Sequence, residues 1–356
     1  MSGYHVNTDY LHGYANQLEM NQLGGITTLT SYAGTHLTNF DRFSGLFEPA
    51  QWLPELFAKM TNDLLLPQLS GSFTYISEQL GQTAIAYDAA DRSAKSRVVA
   101  AGMGQGGGAG VDQPPAEDPP RQVPVALGFT NGAEVDPKPP ADTKMTGWVE
   151  DKINGMLGEP AEIVKELTGF DIVAEWAPVI LGDWGAAYRI ADAWNEVGHT
   201  LRAIGADVEG GLTLLSAHWT AADEGGAAAA FARFTNDRLG GLAFFGEWTD
   251  AVSELIRVPA IYCEGVLTNA IWVIEYYGVR FKGVAKKISK ALREVTPNPL
   301  TWVGLLEELW GVVEDYIEFI KTTWTALEKC VQLIIDVGQA CIETIDAIAA
   351  YFEWRG

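Results

Sequence analysis

An all-α fold is predicted for this 356-residue chain by three observations. Apolar residues recur at alternating steps of three and four on both sides of residue 100, the spacing of a helix with one buried face. Glycine and proline concentrate between those windows: residues 102–110 read GMGQGGGAG, and eight of the 16 prolines fall between Pro114 and Pro140. No long run alternates apolar with polar residues, so no sheet is expected. The predicted architecture is two antiparallel helical hairpins forming a four-helix-bundle-like pair, followed by C-terminal helices.

The first hairpin is expected over residues 1–95. Leu11, Tyr14, Leu18, Ile26, Leu29, Tyr32 and Leu37 mark its first helical region, with Thr8 or Asp9 as cap and Gly24-Gly25 as a weak point. FDRFSGLFEPA, residues 40–50, reads as an irregular connection. The second helical region spans about 51–94, with a possible break near Pro67 and a stripe of Leu69, Phe73, Ile76, Leu80, Thr83 and Tyr87. Such a hairpin has a thin core and needs something to pack against.

Residues 96–145 read as a flexible linker, part coil and part polyproline-like spacer. Gly102-x-Gly104-x-x-Gly107 has the form of a dinucleotide fingerprint, but a polar helical stretch precedes it and a Pro-rich run follows, so the match is compositional.

The second hairpin is expected over 146–259. Trp184, Tyr188, Ala191, Trp194, Val197, Leu201, Ile204, Val208, Leu212 and Leu215 keep the three-four rhythm, and a turn near Trp219 precedes the return helix. Pro259 then punctuates the chain. Residues 260–356 form a C-terminal amphipathic region, in which Thr296-Pro-Asn-Pro299 separates one helix from a final pair. Arg280, Lys282, Lys286, Lys287, Lys290 and Arg293 make a basic stripe here, opposed by Glu307, Glu308, Glu314 and Asp315. Packing of the basic stripe against the acidic one is one reading. Contact with anionic lipid or an acidic partner is the other, since aromatic residues precede the lysines.

Composition narrows the function. The net charge is −22, with 24 Lys and Arg against 46 Asp and Glu, and an acidic surface repels nucleic-acid backbones. Three cysteines are too few for a disulfide scaffold, and they read as apolar core residues. Cys330 and Cys341, eleven apart and about 16 Å along one helix, can bridge only if Gly338 breaks it, and Cys263 could pair with either. The first twenty residues hold no basic n-region and no apolar run, so no cleavable signal peptide is expected. No 18-residue apolar stretch free of charge suggests a spanning helix. The five histidines show no metal spacing, and there is no phosphate loop or nucleophile elbow. No catalysis, metal or cofactor is expected.

Two family resemblances attach to named residues. YHVNTDYLHGYANQL (residues 4–18), FSGLFEP (43–49) and LGQTAIAYDAAD (80–91) make the first hairpin similar to the EspC-like proteins of actinobacterial type VII secretion. Trp184, AWNEVGHTLRAIGADV (193–208), Trp219 and Gly226 to Phe231 make the second resemble the WXG family exported by the same machinery. The first resemblance implies that Tyr87-x-x-x-Asp91 is the YxxxD/E export signal; one helical turn places ring and carboxylate about 6 Å apart on one face. The second departs from its pattern, because Trp219-Thr220-Ala221 replaces Trp-x-Gly. Gly225-Gly226 can shift the turn.

Both families resemble one another in being exported as paired hairpins. The combination therefore implies a fused pair in one chain, or one hairpin bound to a separate WXG-like partner. A linker of this length reaches about 35–40 Å as a coil, enough for fold-back. The implied function is that of a secreted type VII substrate or adaptor, dealing with the secretion ATPase or a chaperone and reaching the exterior or cell envelope. The alternative is a membrane-active component acting through the C-terminal helices at a membrane surface.

Overall fold

The computed structural model describes residues 5–37, 45–103, 127–141, 162, 165–166, 169, 184–220, 226–293 and 299–352. The described chain is all-α, its strands limited to one two-residue ladder. In chain order the elements are β1 (His5–Val6), α1 (Thr8–Met20), α2 (Thr27–His36), a 3-10 turn (Gly45–Ala50), α3 (Trp52–Met60) and α4 (Leu66–Met103). Then follow α5 (Trp184–His218), β2 (Trp219–Thr220), α6 (Ala227–Arg293) and α7 (Pro299–Phe352).

α1 starts at Thr8 and is capped by Asn7, one residue before the expected Thr8 or Asp9. Asn7 is extended, and its side chain accepts from the Asp9 amide, satisfying a donor that the first turn leaves open. Thr8 instead donates to Asp88 of α4 at 2.7 Å. The Gly24-Gly25 weak point does not break the helix. Residues Asn21–Ile26 widen into a π turn in which the Thr27 amide bonds back to Gln22, and α2 continues the same rod. A second π turn, Thr61–Leu65, joins α3 to α4 just before Pro67, with the Leu66 amide reaching back to Thr61. Proline cannot donate and its ring crowds the carbonyl four residues back, so the widened turn lets the helix pass where a break was possible.

The two hairpins pack on each other. α1 lies along α4 within the first and α5 along α6 within the second, and α1 and α2 also pack on α5. The first hairpin's thin core is completed by this contact. Leu11, Tyr14, Leu18, Ile26 and Leu29 join Trp194, Val197, Leu201, Ile204 and Val208 in one buried cluster. Of the expected α5 stripe, Ala191 through Leu215 is buried and Tyr188 is half-buried; nothing is described of the Trp184 side chain.

The linker expectation changes at both described ends. Residues 96–103 continue α4, because Ala and Arg there favour helix more than the following glycines do. Residues 127–141 run as an irregular strap across α1, α2 and α5. Phe129 packs beside Tyr10 and Tyr14, with centroids 5.9 and 6.0 Å away. Tyr32 donates to the Lys138 carbonyl at 2.9 Å, and the Lys138 amide donates to Glu196. Gly128 and Gly132 hold φ of 88° and 87°. A Cβ on Gly132 would stand 2.9 Å from the Met20 backbone, so the strap reaches α1 this closely only at a glycine. The remaining linker residues lie outside the described ones.

The helix punctuation expected at Pro259 is absent. α6 runs 67 residues through it, and α7 is one 54-residue helix where a pair was expected. The reason is a second periodicity. Ala260, Cys263, Leu267, Ala270, Ile274, Phe281 and Val284 on α6 face Val313, Tyr316, Ile320, Leu327, Cys330 and Ile334 on α7, all buried and all at three-four spacing. This is an antiparallel coiled-coil seam, and its continuous packing carries both helices. Tyr277 and Phe281 set the register, with ring centroids 5.2 and 6.0 Å from Tyr316.

The far end of α7 returns to the bundle. Trp248 donates its indole N–H to the Cys341 carbonyl at 3.2 Å and meets Trp194 and Phe57 edge to face. Gly338 does not break α7. A Cβ there would lie 2.6 Å from Leu53 Cδ1, so its missing side chain admits α3. Because α7 is unbroken, Cys330 and Cys341 stay about 16 Å apart along it, and all three thiols are free.

Candidate functional site

The hairpin tip is built from both ends of the pair. α5 stops at His218, and Trp219–Thr220 pairs antiparallel with His5–Val6, His5 opposite Thr220 and Val6 opposite Trp219. The Asn7 amide adds a bond to the His218 carbonyl at 3.1 Å. Trp219 is buried against Phe231, 5.5 Å between centroids, and Tyr10 stacks on the His218 ring at 3.5 Å. Gly226 accepts the Ala230 amide as α6 starts. Gly225, the other glycine expected at the turn, lies outside the described residues. Trp219 thus ties the end of α5 to α6, and the N-terminal strand pairs with it.

Below the tip is a polar layer that sequence inspection did not single out. Gln17 on α1 and Asn21 at the start of the π turn, both buried, reach Asp207 on α5: Gln17 Nε2 donates to its carbonyl at 3.0 Å and Asn21 Nδ2 to its carboxylate at 2.7 Å. Thr130 on the strap donates to the same carboxylate and accepts from Gln17, while the Ala133 amide donates to Asn21 Oδ1. Lone polar residues inside a three-four stripe are the available signal, but their partners are about 110–190 residues away.

Tyr87 and Asp91 sit where α4 leaves the bundle. Tyr87 is half-buried and packs on the core; Asp91 is two-thirds exposed and bridges Lys95 at 3.1 Å. Residues 89–99 are exposed throughout, so α4 projects beyond α1 as a free rod. Asp88 anchors its base, accepting from Thr8 and lying 3.9 Å from His12 Nε2.

The basic stripe divides. Arg280 pairs with Asp315 at 3.2 Å and Lys287 with Glu308 at 2.6 Å, both across the coiled coil. Lys282, Lys286 and Lys290 lie exposed on the outer side of α6. Arg293 ends α6, and its side chain is not among those described. Beside Pro259 a groove of about 610 Å³ opens between α6 and α7, lined by Val258, Tyr262, Ala326 and Leu333. A polar cleft of about 520 Å³ lies between the strap and α5, lined by Glu134, Asp136, Glu196 and His199.

Among the described residues no helix is long and apolar enough to cross a membrane, and no cluster of His, Cys, Asp and Glu could hold a metal ion. Burial raises the Cys263 thiol well above its ordinary value, as it does the Tyr14 and Tyr316 phenols. These groups are packing elements. In comparisons with known proteins, no family model, no curated protein and no solved structure matches this chain.

Proposed function

We propose that this chain is a type VII secretion substrate or adaptor of the actinobacterial kind, exported as a fused EspC-like and WXG-like pair. The observation that carries the reading is the placement of Tyr87 and Asp91. The two residues stand at the root of a projecting helix, on the outside of a pair whose hairpins are already packed together. A receptor approaching α4 meets one aromatic edge and one carboxylate a helical turn apart. The fused pair supports the same reading, because covalent linkage turns hairpin association into an intramolecular step at roughly millimolar effective concentration. The secretion ATPase or an export chaperone is the proposed partner, and the exterior or cell envelope the proposed destination.

The test is export from a host with and without the secretion ATPase, comparing the wild-type chain with Tyr87→Ala and Asp91→Ala. The expected outcome is extracellular chain only when the ATPase is present, with both variants retained in the cell at normal abundance. Export that is indifferent to the ATPase and to both substitutions overturns the reading.

A further inference from the structure

The exposed face of α6 has a definite order of residue types, and only Val258 of it also lines the groove shared with α7. At steps of three and four it reads Glu247, Ala251, Glu254, Val258, Ile261, Gly265, then Trp272, Tyr276, Val279, Lys282, Lys286 and Lys290, every one exposed. Trp272 and Val279 are 66% and 71% accessible, far above what large apolar side chains show when they have a place to pack. In a two-stranded coiled coil these positions normally carry polar residues. Here an acidic end, an apolar middle and a basic end follow one another along a single stripe.

That order is self-complementary. Laid antiparallel on its own copy about a two-fold axis between Thr268 and Asn269, the stripe brings Trp272 opposite Gly265, Tyr276 opposite Ile261 and Val279 opposite Val258. The largest side chain meets the smallest, and nothing lies within 4 Å of where a Gly265 Cβ would stand, so the notch is open. The same register sets Lys282 and Lys286 beside Glu254, and Lys290 beside Glu247. Each contact occurs twice, as an isologous interface requires.

We propose that two copies of the chain associate through the exposed faces of α6, antiparallel and centred at Thr268–Asn269. An anionic membrane is the other surface that an aromatic and basic helix face fits. The acidic half of this stripe, which an anionic surface repels and the basic half of a second stripe matches, favours the second copy. The proposal does not depend on the export reading.

Sedimentation equilibrium of the full chain from about 1 to about 100 μM reports the association directly. The expected result is a dimer that weakens as salt is raised, because the flanking pairs are exposed. Trp272→Glu should abolish it. A triple variant, Lys282→Glu, Lys286→Glu and Lys290→Glu, and a double variant, Glu247→Lys with Glu254→Lys, should each lose self-association by about 100-fold while keeping native helicity. Mixing these two should restore a heterodimer, since every end pair is then again opposite in sign. A monomeric wild type overturns the proposal, and so does a monomer that co-sediments with vesicles of anionic phospholipid. A dimer indifferent to all these substitutions, or charge variants that fail to rescue each other, overturns it as well.

Discussion

Tyr14 donates its phenolic hydrogen to the carbonyl of Val208 at 2.9 Å, a bond between residues 194 apart in sequence and between the two hairpins in space. The ring also stands against Phe129 of the strap and Phe231 of α6. One side chain of α1 thus touches three other segments.

Tyr14→Phe isolates the hydroxyl, because it keeps the ring and removes the bond. The Val208 carbonyl lies within a helix and keeps a backbone partner, so the cost should be about 1 kcal/mol. Denaturant titration should show a lower midpoint with an unchanged slope.

Alkaline pH should act through the same residue and its counterparts. Burial raises the phenols of Tyr14, Tyr32, Tyr188 and Tyr316 well above the ordinary value near 10, with nearby carboxylates such as Asp207 adding to the effect at Tyr14. In the unfolded chain they ionise at the ordinary value, while in the fold they stay neutral. Their contribution is therefore complete below about pH 10 and is lost as pH rises toward the folded values. Stability measured by denaturant should be flat up to that pH and fall above it, and Tyr14→Phe should flatten part of the fall.

Adjacent glycines in α5 should respond in opposite directions. A Cβ on Gly210 meets open space, so Gly210→Ala should stabilise by up to about 1 kcal/mol through helix propensity. A Cβ on Gly211 would overlap Gln17 Oε1 and lie 2.6 Å from Tyr14 Cε2, both from the other hairpin. Gly211→Ala should cost about 1–3 kcal/mol. Thermal melts of the two variants beside wild type give the comparison.

Asn21→Ala should release the strap. The side chain serves the Ala133 amide, the Asp207 carboxylate and the Gln17 carbonyl from a fully buried position. Losing it strands buried groups at about 1–3 kcal/mol. Limited proteolysis should then cut within 127–141 before it cuts either hairpin. A wild-type cleavage order would show that the strap is held without Asn21, by Phe129 and by the bonds of Thr130 and Lys138.

The fold class was legible because it depends on local periodicity. The α5 stripe from Ala191 to Leu215 is buried as spaced, and so is the stripe of Leu69 to Leu80 on α4. Interruptions were harder to read. Pro67, Gly24-Gly25, Pro259 and Gly338 all carry the local signature of a break, and at each the helix continues. Two are absorbed by π turns, and Gly338 serves close packing with Leu53, a contact that only tertiary structure reveals. The strap illustrates the opposite limit. Its composition is that of a linker, yet Phe129, Thr130 and Lys138 find partners whose identity no local window contains. At the candidate signal, the spacing of Tyr87 and Asp91 was visible, but the exposure of the rod beyond them follows from where α1 begins.

The pairing of His5–Val6 with Trp219–Thr220 has a consequence for the order of events during synthesis. The first strand leaves the ribosome early but has no partner until Thr220 emerges. At about 5–20 residues per second that delay is about 10–40 s. Through this interval the first hairpin carries an unpaired strand and an uncovered apolar face. The newborn chain is therefore open to capture by a chaperone for that time, and closure of the ladder marks the end of the window.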